Sequence, residues 1–260
     1  MNSPITVYHY TSLESTNSEA VRLARNGSSD WTVIFADEQK KGRGRYAREW
    51  YSPPGLGLYF SIILRPAIDL KLINLINLRT AWIIAQMINR ELSGQANIEI
   101  RLKWPNDVLV NEKKISGILV ESEIFNRQLN YLVVGIGINL NHTPQEFPPE
   151  IRSLATSLRL ESNHIYDPLV LLKDIVCALN NKLYIDFKNK FRKVVEDYQK
   201  LMAYLDQPAE IRLNSELIKG KIKGLDASGQ LIMQQGEDIR LINSGDLWVQ
   251  RKGDEHGFTD

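Results

Sequence analysis

Cysteine is all but missing from this 260-residue sequence: Cys177 stands alone, which excludes an intramolecular disulfide and any thiolate metal cluster. Histidine is scarce too. His9, His142, His164 and His256 are scattered without zinc-ligand spacing, so no protein-bound catalytic transition metal is expected. No apolar run is long enough to cross a bilayer, because the longest, Leu70 to Leu92, is broken by Lys71, Asn74, Asn77, Arg79, Gln86 and Asn89. Nothing near Met1 has the pattern of a secretion signal. Neither sign of charge is in excess, since 32 Lys and Arg against 31 Asp and Glu leave a net +1. Such a chain carries no global field for nucleic acid or an anionic membrane. Internal repeats and low-complexity segments are absent as well. The expectation is a cytoplasmic protein with neither a membrane nor a nucleic-acid partner.

What is present suffices for a core. The chain is 43% hydrophobic and 24% charged, and its length allows a large domain with a small one appended. Periodicity predicts strands at Thr6–Tyr10, Thr32–Ala36 and Leu58–Leu64, and a long helix over Leu72–Leu92. Ile98–Leu102, Val108–Val110, Lys114–Phe125 and Leu129–Asn139 follow as strand-like runs joined by short turns. Thr16 and Glu19 match a capping box at the head of an early helix that Gly27 stops. Asp167-Pro168 opens another helix, and a further one is expected around Phe191–Met202. After Leu205 short alternating runs (Ala209–Leu213, Leu217–Lys223, Gly229–Gln234, Asp238–Ile242, Leu247–Gln250) suggest a small barrel. The expected division is 1–204, 205–252 and a polar tail, 253–260.

Four clusters can carry chemistry. In KKGRGRYAREWYSPPG, Lys40, Lys41, Arg43, Arg45 and Arg48 crowd into nine residues with Gly42 and Gly44 between them. The glycines and Ala47 imitate a dinucleotide fingerprint, but that fingerprint must end a strand and open a helix, whereas here Trp50, two prolines and a strand follow. A charge run is most often a solvated surface. Glycines among arginines, with Trp50 at the exit, favour instead a flexible loop whose backbone N–H groups and guanidiniums close on an anion. Lys103-Trp104-Pro105-Asn106-Asp107, with Lys114 and Gly117 beyond it, joins two strands through an extended Trp104. Ordinary turn chemistry explains Asn106 and Asp107, yet their polar ends can converge with Lys103 and Lys114. In VVGIGINLN, Ile136 and Ile138 share one face, leaving Gly135, Gly137 and Asn139 on the other for a ligand or a tight packing contact. Glu14-Ser15-Thr16-Asn17 is explained as a helix cap, though such a terminus also suits a polar ligand head.

Taken in order, EST-N, Q-x-x-GRGR-x-x-R-x-W-x-SP-x-G, KWPND with K-x-x-G-I-L-x-E, and G-I-G-I-N resemble the biotin–protein ligase family over essentially the whole chain. The resemblance implies an α+β fold: a mixed, largely antiparallel sheet with helices on one side, similar to class II aminoacyl-tRNA synthetases, plus an SH3-like barrel. It implies an enzyme that joins biotin to ATP with Mg2+, releases pyrophosphate, holds biotinyl-5′-AMP, and biotinylates a lysine of a biotin carboxyl carrier domain. By the same pattern Ser15, Thr16, Asn17 and Gln39 bind the ureido end of biotin. Gly42, Arg43, Gly44 and Arg45 wrap the carboxyl and phosphate region, with Arg48 nearer the ATP phosphates and Trp50 over the adenylate. Lys114 meets the acyl-phosphate junction, with Asn106 and Asp107 close by. Asn139 lies near the nucleotide, and Gly117, Gly135 and Gly137 clear space. Lys114, Arg43, Arg45 and Arg48 are the expected carriers of the chemistry. Many relatives have glycine where Ala47 stands. A lipoate–protein ligase, a nucleic-acid-binding module and a biotin sensor are the rivals. A monomer or homodimer is expected. Because the first motif begins at Ser15, no repressor domain and no repressor function are expected.

Overall fold

The computed structural model describes residues 4–183, 191–213 and 216–249. The turn expected at Asn214-Ser215, the end of the last strand at Gln250 and the tail from Gly253 lie outside them. Among the described residues, twelve strands fall into two sheets. The larger is built from β1 (Thr6–Leu13), β2 (Thr32–Gln39), β3 (Gly57–Leu64), β4 (Ile100–Lys103), β5 (Asp107–Val110), β6 (Lys113–Phe125) and β7 (Gln128–Asn139). Its order is β1-β2-β3-β7-β6-β5-β4. Only β1 and β2 run parallel; every other pairing in it is antiparallel. The sheet is therefore mixed and largely antiparallel, as expected.

Both faces of this sheet are covered, but unequally. The long helix α2 (Ile73–Glu91) packs on one face together with α4 (Pro168–Lys182) and α5 (Phe191–Lys200). Phe60, Ile62, Leu64, Val134, Ile136 and Ile138 meet Leu75, Ile76, Ile84, Leu172, Ile175 and Val195 there. Inside that layer Arg79 is buried, 3.4 Å from Asp197 and stacked over Trp82, so its charge is compensated. The short helix α1 (Thr16–Arg25) lies on the opposite face, where Ala20 and Ala24 pack against Ile34, Ile63 and Val133. That second cover explains why all eight residues of β3 are buried.

The capping box read at Thr16 is not formed. Ser15 is the N-cap and makes no side-chain capping bond, while Glu19 turns to Tyr10 and Arg22. Thr16 is thereby released for other contacts. The Asp167 cap is as read, its carboxylate accepting from the Leu169 backbone N–H with Pro168 at the first helical position. A short helix, α3 (Leu158–Ser162), precedes it. The smaller sheet, β8 (Pro208–Leu213), β9 (Glu216–Leu225), β10 (Leu231–Gln235), β11 (Asp238–Ile242) and β12 (Asp246–Trp248), is wholly antiparallel in the order β11-β10-β9-β8-β12. It rests on the larger unit: Trp104 Nε1 donates to the Gly229 carbonyl at 3.1 Å.

Candidate active site

A trench runs across the sheet face that the long helices leave open. Its floor is the middle of β3, β7 and β6, where Gly137 pairs with Tyr59 on one side and Gly117 on the other, and Gly135 lies between Ser61 and Leu119. The alternation read from the sequence holds, since Ile136 and Ile138 enter the helical core and the glycines face the trench. Each glycine is needed for space. A Cβ on Gly137 would stand 2.5 Å from Trp50 Cε2, one on Gly117 3.0 Å from Trp50 Cζ3, and one on Gly135 1.8 Å from Asn17 Oδ1. The Trp50 indole thus lies on the glycine floor, with Lys114 Nζ 5.3 Å from its ring centre. It divides the trench in two.

Over the trench, the arginine loop is a hairpin-like turn. Gly44 N–H donates to Arg48 O at 2.8 Å, and Trp50 N–H to Gly42 O at 2.9 Å. At its tip Tyr46 and Ala47 have φ of 54° and 61°, a conformation that favours glycine. Ala47 keeps every cation of the loop but strains its backbone.

On one side of Trp50 is a cavity of about 270 Å³. Arg43, Gly44, Arg45 and Arg48 reach it from the loop, Lys103, Asn106 and Asp107 from the β4–β5 connection, and Lys114, Gly117 and Asn139 from the strands. The connection is a turn with a cis Trp104–Pro105 peptide rather than the extended segment expected. Lys114 Nζ lies 2.8 Å from Asp107 Oδ1, so the convergence read from the spacing occurs. Asn106 Nδ2 donates to Ile118 O, leaving its Oδ1 toward Arg45 at 3.4 Å. Asn139 Nδ2 donates to Thr156 O at 2.9 Å, which ties β7 to the loop that closes the cavity's far wall. That wall is apolar: Trp104, Phe147, Ile151 and Leu154. Cations along one rim and an apolar wall opposite suit a ligand with a planar apolar part and a polyanionic part.

On the other side is a pocket of about 30 Å³ with polar walls, lined by Ser15, Thr16, Asn17, Gln39, Arg43, Trp50, Gly135 and Gly137 among others. Gln39 Oε1 accepts from Thr16 N–H at 2.8 Å and from Thr16 Oγ1 at 3.1 Å, while its Nε2 donates to Ser52 Oγ at 2.9 Å. Ser61 Oγ lies 2.8 Å from Thr16 Oγ1 and 2.6 Å from Asn17 Oδ1. Asn17 Nδ2 donates to Glu121 Oε2 at 2.9 Å. The amide directions are therefore fixed by their neighbours. Ser15 Oγ is buried with no protein partner, a hydroxyl that only a ligand or water can satisfy.

Of the site residues that the resemblance implies, Gly42 alone lines neither hollow; of the clusters read from the sequence, Glu14, Lys40 and Lys41 also stay outside, Lys41 pairing with Glu14 at 2.9 Å. A Cβ on Gly42 would meet Trp50 O at 2.3 Å, so the place of Gly42 is inside the loop's own turn. Other lining residues gave no sequence signal. Gly245 comes from the β11–β12 turn of the small sheet and Asp246 and Leu247 from the start of β12, where Ser-Gly-Asp reads as turn chemistry. Arg48 Nη2 meets Asp246 Oδ2 at 2.7 Å, and Arg45 Nη1 donates to Gly245 O at 3.2 Å. Ser61 was also passed over, and Glu121 was quoted only as the last residue of K-x-x-G-I-L-x-E with no role in the site, yet both hold Asn17. Behind Phe147, His142 is fully buried and stacked at 4.5 Å, and burial pushes its pKa down to about 4. Among the described residues no helix is long and apolar enough to cross a membrane, and no three His, Cys, Asp or Glu side chains group to hold a metal.

Known proteins share this architecture. Residues 10–139 match the model of the "Biotin/lipoate A/B protein ligase family", and residues 204–247 that of the "Biotin protein ligase C terminal domain". The bifunctional ligase/repressor BirA of Bacillus subtilis is 32% identical over 241 residues, 93% of this chain and 73% of that protein. The biotin–[acetyl-CoA-carboxylase] ligase of Paracoccus denitrificans is 31% identical over 237 residues, 90% of this chain and 97% of the relative. Among solved structures, the biotin protein ligase from Aquifex aeolicus in complex with biotin and ATP superposes with a TM-score of 0.75 at 32% identity, covering 95% of this chain and 99% of its own.

Proposed function

The chain belongs to the biotin/lipoate A/B protein ligase family, and from that premise we propose that it activates biotin with ATP and transfers it to a lysine of a biotin carboxyl carrier domain. One observation carries the reading. A polar pocket with an unsatisfied buried hydroxyl and a cation-rimmed cavity lie end to end on one glycine floor, parted by a single indole. Biotin's ureido ring offers donors and acceptors that suit Ser15, Thr16, Asn17 and Gln39. Its valeryl chain then runs along the trench past Trp50 toward Lys114, with the indole that now lies on Gly137 moving aside to admit it. The triphosphate takes the rim of Arg45, Arg48 and Lys103, and the adenine the apolar wall.

In the first step a biotin carboxylate oxygen attacks the α-phosphorus of ATP. A new O–P bond forms, and the bond to the β-phosphate oxygen breaks with release of pyrophosphate. Two anions must approach, and Lys114 and the loop arginines offset that repulsion at fixed positions, so little reorganisation is needed as charge shifts. Magnesium carried on the triphosphate would need only one or two protein carboxylates, and Asp107, Glu49 and Asp246 line the cavity to supply them. When bound, the ion adds further neutralisation of phosphate charge. In the second step a carrier lysine amine attacks the acyl carbon and AMP leaves. The covering loop and Trp50 keep water from the mixed anhydride in the interval.

Lipoate is the rival acyl group. Its dithiolane head lacks ureido donors and acceptors and would leave Ser15 and Asn17 poorly matched in a buried pocket, which costs affinity. Incubation with biotin, magnesium–ATP and a carrier domain, read by intact mass, tests the proposal. The expected result is one biotinyl addition with pyrophosphate release, and none with lipoate. No addition and no pyrophosphate overturns the reading.

A further inference from the structure

Glu121 lies on β6 two positions beyond Leu119, on the strand face that carries the trench. Its carboxylate receives hydrogen bonds from two separate parts of the site. Asn17 Nδ2 donates to Oε2 at 2.9 Å, and Arg43 donates through Nη1 to Oε2 at 3.2 Å and through Nη2 to Oε1 at 2.8 Å. The same guanidinium reaches Ser18 Oγ on α1 at 3.5 Å. Arg43 therefore spans from the loop to both α1 and β6, across the smaller pocket that it helps to line. That pocket measures about 30 Å³ in this conformation, room for a water or two and far less than a fused two-ring head group needs.

We infer that Glu121 is a positioning residue, a latch that holds the arginine loop down over the smaller pocket, so that a head group enters only after the Arg43–Glu121 bridge opens. The pairing is bidentate, which gives it a defined closed geometry. It is not buried: the Arg43 and Glu121 side chains keep 46% and 28% of their exposure, so solvent and salt can loosen it. Trp50 moves with the latch, because its backbone N–H is bonded to Gly42, the residue before Arg43. A closed conformation reduces apparent affinity by the fraction of molecules that are open, so weakening the latch eases entry. Glu121 also orients the Asn17 amide, which couples loop closure to the polar wall the head group meets.

The latch rests on geometry alone; its consequence for biotin rests on the function proposed above. Glu121→Gln keeps an acceptor for Asn17 and removes the charge that pairs with Arg43. Hydrogen exchange of residues 40–50, measured without added ligand, is expected to quicken at least threefold in Glu121→Gln. Arg43→Gln breaks the same bridge from the exposed side, and its loop is expected to match, which covers the case of a poorly folded Glu121 variant. Unchanged exchange in both variants overturns the latch, whatever happens with biotin. Biotin association by stopped-flow is expected to speed up at least threefold in Glu121→Gln, and an unchanged rate beside a loosened loop overturns the gating. If loops loosen but neither wild type nor variant binds biotin, the latch stands and the proposed substrate falls.

Discussion

At Lys114 a cation, a carboxylate and an indole meet: Asp107 lies 2.8 Å away and the Trp50 ring centre 5.3 Å. Lys114→Ala removes the charge that the proposed mechanism sets beside the joining anions, and adenylate formation is expected to fall ~10²–10³-fold by pyrophosphate-release kinetics. The half-buried Asp107 loses its partner at a cost of about 1–2 kcal/mol, so urea melts should still show a folded protein. Near-normal turnover would remove Lys114 from the reaction. His142 gives a prediction of another kind. Burial is the main cause of its low pKa of about 4, opposed by the nearby Glu146. An unfolded histidine binds its proton near pH 6.5, so between pH 6.5 and 4 the unfolded chain holds more protons than the folded one. Stability contributed by the neutral ring is complete above that window and is lost as pH falls through it, by about 2 kcal/mol between pH 7 and 5. Urea midpoints for wild type and His142→Gln should therefore diverge on acidification, the variant's slope being shallower; parallel slopes would refute the assignment.

β7 shows at the scale of an element what the sequence could and could not convey. Period-two alternation assigned Ile136 and Ile138 to one face and the glycines to the other, because strand geometry leaves no other option. Packing or ligand was left open for the glycines, and the structure shows packing: the side chains of Asn17 and Trp50 fill the space above them. Thr16 was misread for a physical reason. A capping box is local, but the Gln39 amide from β2 and Ser61 from β3 compete for the same hydroxyl across the fold. Glu121 closes the K-x-x-G-I-L-x-E motif, but its part in the site was not read, since an alternating charged residue on a strand is what any solvated face offers. Gly135→Ala tests the element directly. Its Cβ would stand 1.8 Å from Asn17 Oδ1, and Asn17 is held by Ser61 and Glu121 and cannot simply swing away. Calorimetric affinity for biotin is expected to drop at least tenfold, with a stability loss of about 1–3 kcal/mol from overpacking. Unaltered affinity would place the ureido end elsewhere.

Across the whole molecule, the small sheet completes the cavity of the large one. Trp104 donates to Gly229, Gln199 Oε1 accepts from Leu225 N–H at 2.7 Å, and the end of the β11–β12 turn and the start of β12 bring Gly245 and Asp246 beneath the arginine loop. Long-range contacts of this kind leave no periodic trace, which is why the barrel was legible as a fold and its part in the site was not. Asp246 meets Arg48 at 2.7 Å, with side-chain exposures of 18% and 49%. An ion pair so open to water contributes at most about 1 kcal/mol to folding. Its consequence lies in where it holds the guanidinium, with Arg45 tethered beside it on the Gly245 carbonyl. Asp246→Asn is therefore expected to leave the melting temperature within ~4 °C of wild type while raising KM for ATP several-fold and KM for biotin little. Raising the salt concentration should weaken ATP binding more in wild type than in the variant, since only wild type has that pair left to screen. An unchanged KM for ATP in Asp246→Asn would mean that the small sheet supports the loop by packing alone, with no part in orienting Arg48.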